Sequence, residues 1–246
     1  MENKVIVITG AGSGVGRDCA QLFLDKGWRV ALLGRRMAPL EETAQSHENS
    51  MVVPCDVSNY QAVETAFATI INQWNCIDVL FNNAGLAKPS QTIDKLSIDD
   101  WTEVVNINLN GSFFCAKVAF KTMRNQEPQG GRIINNGSVS SYVPRPGSAP
   151  YTSTKHAITG LTKSISLDGR AFNIACGQID IGNALTPMAQ QMTIGVPQAN
   201  GTIEAEATMD PHHVSTTVLH MAELPLEANV QFVTVMASTM PYIGRG

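Results

Sequence analysis

The sequence predicts an α/β protein built on a doubly wound parallel sheet with helices on both faces. Three observations carry that reading. Short apolar, β-branched bursts alternate with longer helix-like segments along the chain. The bursts are continuous, as at residues 5–8 and 30–33, where a strand with one wet face would alternate apolar with polar side chains. The segments between them are long enough to carry the chain back over the sheet from one parallel strand to the next.

Taken in order, residues 4–9 read as a strand and 14–26 as a helix. Two strands follow at 29–33 and 51–53, then a helix at 60–74. Strand 77–81 precedes a long helical segment at 100–123, and strand 132–135, helix 151–167 and strand 172–175 continue the rhythm. From 182 to 211 the rhythm breaks: Pro187, Gly195, Pro197 and Gly201 punctuate a polar, Met-containing stretch without clear periodicity. Loops of that size are usually functional, so this one is read as a lid over the carboxyl edge of the sheet. A helix at 211–222 and a strand at 230–236 complete the chain. No repeat, low-complexity tract or linker-like change of composition divides it, so 1–246 is read as a single domain.

Composition narrows the function. The 246 residues are 43% hydrophobic, enough to bury a core without disulfide staples. With 17 basic against 21 acidic side chains the net charge is −4, which offers no clustered Lys and Arg for nucleic acid or an anionic membrane. The cysteines, Cys19, Cys55, Cys76, Cys115 and Cys176, are widely spaced and form no CxxC pair, which fits a reducing compartment. The apolar runs fall far short of the roughly 18 residues of a membrane span. Met1-Glu2-Asn3-Lys4 passes straight into a strand, which leaves no room for a signal peptide and places the protein in the cytoplasm. No metal site is expected, since the adjacent His212 and His213 point apart on a helix.

The chemistry gathers at strand ends. Thr9-Gly10-Ala11-Gly12-Ser13-Gly14-Val15-Gly16 carries the first strand into a helix, with a Gly10-x-x-x-Gly14-x-Gly16 spacing. Glycines there let main-chain N–H groups and the positive helix N-terminus approach a pyrophosphate, so Gly10, Ser13, Gly14, Val15 and Gly16 are candidate cofactor contacts. At the end of the second strand, where a carboxylate would accept from both ribose hydroxyls of NAD, the chain reads Gly34-Arg35-Arg36. A guanidinium matches phosphate, so Arg35 favours NADP(H), with NAD(H) as the alternative. Asp56 and Val57 end the third strand, with Asp56 suited to an adenine amino group, and Asn83, Ala84 and Gly85 follow the fourth, with the small pair admitting the ribose. Tyr151 and Lys155 lie one helical turn apart on one face, after a strand whose end carries Ser138.

These residues together resemble the short-chain dehydrogenases/reductases, from about residue 4 to about 180. Thr9 to Gly16 looks like the family's glycine-rich loop and Asn82-Asn83-Ala84-Gly85 like its Asn-Asn-Ala-Gly segment. Asn108 looks like its active-site asparagine, and Ser138, Tyr151 and Lys155 match the remaining catalytic positions. The resemblance implies a seven-stranded Rossmann-like sheet, a homotetramer or homodimer, and a small-molecule carbonyl or alcohol as substrate. One departure stands out. The family's Pro-Gly after the sixth strand is replaced by Cys176-Gly177-Gln178-Ile179-Asp180, where Ile179 is expected to supply the backbone contact to the nicotinamide amide.

Physical roles can be set beside that resemblance. Tyr151 would give a proton to the developing alkoxide, but a phenol titrates at about 10 in water, above working pH. Lys155 and a cationic nicotinamide ring would draw it down, and Lys155 would also bond the nicotinamide ribose. Ser138 would hold the substrate oxygen, and Asn108 a water linking Lys155 to solvent. The expected activity is metal-free hydride transfer between a carbonyl and a secondary alcohol with NADP(H). The alternatives are an NAD(H)-dependent alcohol dehydrogenase of the same family, or a non-catalytic NADP(H)-binding sensor or scaffold.

Overall fold

Every apolar burst of the sequence becomes a strand of one sheet in the computed structural model, which describes residues 4–243. Met1-Glu2-Asn3, on which the expectation about a leader rests, lies outside the described residues. In chain order the elements are β1 (Val5–Thr9), α1 (Gly14–Asp25), β2 (Arg29–Gly34), α2 (Met37–Ala44), β3 (Ser50–Pro54), α3 (Tyr60–Trp74) and β4 (Val79–Asn82). Then come α4 (Ile98–Val105), α5 (Gly111–Asn125), β5 (Gly131–Asn136), α6 (Ala149–Asp168) and β6 (Ile174–Gly182). The chain ends with α7 (Gln190–Ile194), β7 (Val196–Pro197), β8 (Ile203–Glu204), α8 (His212–Glu223) and β9 (Phe232–Met236).

The seven-stranded sheet has the order β3-β2-β1-β4-β5-β6-β9, and every neighbouring pair is parallel. Its strands are apolar throughout because both faces are covered. In β1, Ile6 and Ile8 join a core with Phe23 of α1 and Val218 of α8, while Val5 and Val7 join the opposite core with Phe67 of α3 and Ala119 of α5. Helix starts follow local chemistry: Asn59 Oδ1 accepts the Ala62 N–H at 3.1 Å ahead of α3, and Ser97 Oγ accepts the Asp100 N–H at 3.0 Å ahead of α4. The strand order reverses between β1 and β4, which opens a crevice at their carboxyl ends.

Three expectations are corrected. The helical segment at 100–123 is interrupted: α4 passes through a π turn, Asn106–Asn110, into α5. Such turns shift the hydrogen-bond register, and this one holds Asn108. The sixth strand does not stop near residue 175 but runs to Gly182, because Gln178 and Asp180, which read as turn residues, find buried polar partners. The stretch after Gly182 is not structureless; it holds α7 and the antiparallel β7-β8 pair. No helix among the described residues is long and apolar enough to cross a membrane.

Candidate active site

The glycine turn is built by close approach. Gly10 has φ +66°, and a Cβ there would lie 2.9 Å from the Ala84 Cα, so the end of β1 packs on the end of β4 only without a side chain. Thr9 Oγ1 accepts the N–H groups of both Asn83 and Ala84 at 2.9 Å and locks the two strand ends together. Ser13 precedes α1 in extended conformation and makes no side-chain cap, so the first N–H groups of the helix face the crevice. Gly16 lies behind them, packed on the Gly10 carbonyl, and serves the approach of the helix to the strand.

The same crevice receives the candidate catalytic side chains. Gly10, Ser13, Gly14, Val15, Asn83, Ala84 and Gly85 line one side of a cavity of about 370 Å³. Ser138, Tyr151 and Lys155 line the other. The Lys155 ammonium sits 5.4 Å from the Tyr151 ring centroid and donates to the Asn136 carbonyl oxygen at 2.7 Å. Burial pushes the Lys155 pKa down to about 8, with the negative charge of Asp180 opposing. Burial likewise raises the Tyr151 phenol, against a hydrogen bond from Ser138 and the charge of Arg145, with Asp180 adding to the rise. The expected lowering of Tyr151 by Lys155 is therefore not the dominant effect: desolvation outweighs it, and the nearby cation that opposes desolvation is Arg145.

Asn108 is buried, and its side chain is committed to the chain segment beside it. Its Oδ1 accepts the Leu86 N–H and its Nδ2 donates to the Leu86 carbonyl, both at 2.9 Å. Its main-chain carbonyl accepts Ser112 Oγ at 2.8 Å, so the side-chain amide is occupied by the Leu86 segment and the carbonyl by Ser112. Asn83 has a similar framing role: Nδ2 donates to the Thr9 carbonyl at 2.9 Å while Oδ1 accepts Asn136 Nδ2 at 2.9 Å.

Arg35 and Asp56 border a second depression of about 320 Å³, with Ser58 and Asn106. Arg35 is exposed, and no carboxylate pairs with it among the described residues. Asp56 Oδ1 accepts the N–H and hydroxyl of Ser58 at 3.0 and 2.7 Å, which leaves Oδ2 for another donor. Val57 is buried with its side chain against Gly111, so only its main chain can serve a ligand.

Ile179 is a correction. It lies inside β6, is fully buried, and gives its carbonyl to the Gly137 N–H at 2.8 Å. Because the strand continues beyond it, the chain after Ile179 meets the cavity from Ile181 onward, first at Ile181, Asn183, Ala184 and Thr186.

Sequence reasoning also passed over Arg145 and Asp180. Arg145 lines the cavity, and its Nη2 meets Glu206 Oε2 at 2.6 Å and Asn183 Oδ1 at 2.8 Å. Its signal was position, within the thirteen residues between Ser138 and Tyr151. The signal of Asp180 was a carboxylate inside an apolar strand.

Comparison with known proteins identifies the family and the fold. The family model described as short chain dehydrogenase matches residues 4–196. A 3beta-hydroxysteroid dehydrogenase of Mediterraneibacter gnavus is 34% identical over 212 residues, covering 83% of this chain and 75% of that protein. Among solved structures, a closed form of serine dehydrogenase complexed with NADP+ superimposes with a TM-score of 0.88 at 25% identity, covering 98% of both chains. A single-residue variant of actinorhodin polyketide ketoreductase with NADPH gives a TM-score of 0.84 at 26% identity, covering 96% of this chain and 98% of that one.

Proposed function

The chain belongs to the short-chain dehydrogenase family of oxidoreductases, and on that footing we propose that it interconverts a carbonyl and a secondary alcohol using NADP(H). The observation that carries the proposal is the sharing of one cavity by the glycine turn and by Ser138, Tyr151 and Lys155. The cradle around Gly10 and the uncapped start of α1 fit the pyrophosphate of a nicotinamide dinucleotide. When bound, its nicotinamide would supply or accept the hydride.

The chain's own residues would handle the proton. Tyr151 Oη gives its proton to the developing alkoxide in reduction and takes one back in oxidation. Ser138 Oγ donates a hydrogen bond to the same substrate oxygen, favouring the charge that grows there. Lys155 holds the ribose side of the cofactor, and its ammonium favours the phenolate once water is excluded. Segment 182–211 would act as a lid, tied to the cavity wall by the Arg145–Glu206 ion pair.

The preference for NADP(H) rests on Arg35, which is exposed at the end of β2 and has no carboxylate partner among the described residues, and on the Gly34-Arg35-Arg36 sequence that puts no carboxylate at that strand end. NADP ligands in two of the similar structures support it. Titration with NADPH and NADH, followed by a carbonyl screen with the tighter nucleotide, tests the proposal. Tighter NADPH binding and nucleotide oxidation that depends on an added ketone or aldehyde are expected. Cofactor binding without turnover of any carbonyl or alcohol would favour the sensor reading instead.

A further inference from the structure

We propose that Asp180 is a positioning residue for the reaction, holding the Ser138 segment in register with the Tyr151 phenol; this rests on the catalytic reading above. Asp180 is fully buried in β6, where an apolar side chain would be free of desolvation cost. Its Oδ1 accepts the Ser138 N–H at 2.9 Å, and its Oδ2 accepts the Tyr142 hydroxyl at 3.2 Å. Ser141 Oγ lies 3.2 Å from Oδ1 as well as 3.1 Å from the Lys155 carbonyl, and its single proton serves either. One carboxylate thus pins both ends of the turn that presents Ser138. Gly137 belongs to the same device, since a Cβ there would collide with Asp180 Oδ1.

The carboxylate is itself oriented by a buried polar chain that crosses three strands. Asn82 Nδ2 donates to Asn135 Oδ1 at 3.0 Å, and Asn135 Nδ2 to Thr162 Oγ1 at 2.9 Å. Thr162 then donates to Gln178 Oε1 at 3.0 Å, and Gln178 Nε2 to Asp180 Oδ1 at 2.8 Å. Every step uses one donor and one acceptor, so the direction of each amide is set, and the chain ends on the atom that holds Ser138. The sheet interior is in this way coupled rigidly to the reacting centre.

The charged and titratable groups facing the Tyr151 phenol are Asp180 from β6, Arg145 from the loop before α6, and Lys155 on α6 itself. Tyr142 faces Asp180 from the turn, with Tyr242 beside Tyr142. Removing the negative charge of Asp180 while keeping an acceptor oxygen therefore separates its electrostatic part from its anchoring part.

The experiment compares Asp180→Ala and Asp180→Asn with the natural protein. Amide hydrogen exchange of residues 137–142 is measured without substrate, and steady-state carbonyl reduction and alcohol oxidation are followed across pH. In Asp180→Ala, exchange at Ser138 should rise by about tenfold or more and kcat should fall by about ten- to a hundredfold, with NADPH Kd unchanged within about threefold. Asp180→Asn should restore kcat to within about threefold, while the kcat/KM profile for oxidation moves to lower pH because the phenolate is easier to form. Unchanged Ser138 exchange and kcat in Asp180→Ala would overturn the proposal. If that variant does not fold, unchanged Ser138 exchange and kcat in Asp180→Leu would do the same. Should the natural protein turn over no carbonyl or alcohol, the functional reading fails while the exchange data still judge the anchoring.

Discussion

Lys155 is an ammonium enclosed by protein, 6% exposed, donating to the Asn136 carbonyl at 2.7 Å. Replacing it with Met keeps the length of the stem and removes the charge. The fall of its pKa from 10.5 to about 8 means that burial disfavours the charged form in the folded state. At about 1.4 kcal/mol per pH unit the burden is about 3 kcal/mol. Losing the hydrogen bond to Asn136 returns about 1 kcal/mol of that, so Lys155→Met should be more stable by about 2 kcal/mol near pH 7. The sign with pH follows from proton counting. The folded protein releases this proton near pH 8 and the unfolded chain near pH 10.5, so between those values the folded state binds fewer protons and the natural protein gains stability as pH rises. The advantage of the variant is therefore full below about pH 8 and fades toward pH 10.5. Urea unfolding of both proteins across that range measures it, with turnover lost in the variant. A variant less stable than the natural protein at neutral pH, or a difference that stays flat up to pH 10.5, would show that burial does not penalise the Lys155 charge.

Arg35→Ala should weaken NADPH by about 1–3 kcal/mol and leave NADH nearly untouched; an unchanged preference between the two nucleotides removes Arg35 from the site. Gly10→Ala places a methyl 2.9 Å from the Ala84 Cα at a φ of +66°, and calorimetry should show a loss of about 1–3 kcal/mol, whereas an unshifted melting point would contradict the assigned close approach. Arg145→Met removes the cation that faces the buried Glu206 carboxylate, so unfolding should reveal a loss of about 2–4 kcal/mol and substrate KM should rise. Equal stability and KM in that variant would show that the ion pair does not hold the segment.

Much of this was legible in residue order. The apolar bursts betray a sheet buried on both faces, and Gly10 and Ser138 fall just past strand ends while Tyr151 and Lys155 open the helix that follows, all lining one cavity. What was hidden depended on pairing across distant segments. Gln178 and Asp180 look like turn residues until Thr162, Thr159 and Ser138 are brought beside them, which is why β6 read several residues short and Ile179 was placed at the edge. The π turn at Asn106–Asn110 has no periodic signature strong enough to separate it from the helices around it. Arg145 and Glu206 lie 61 residues apart and reveal each other only in space.

In the proposed reaction Tyr151 supplies the proton beside a nucleotide held by the glycine turn. Steady-state kinetics of Tyr151→Phe with the preferred ketone, paired with NADPH titration of the same protein, tests it most directly. Turnover should fall by about a hundredfold or more, with NADPH Kd within about threefold of the natural protein. Retained turnover in that variant would contradict it.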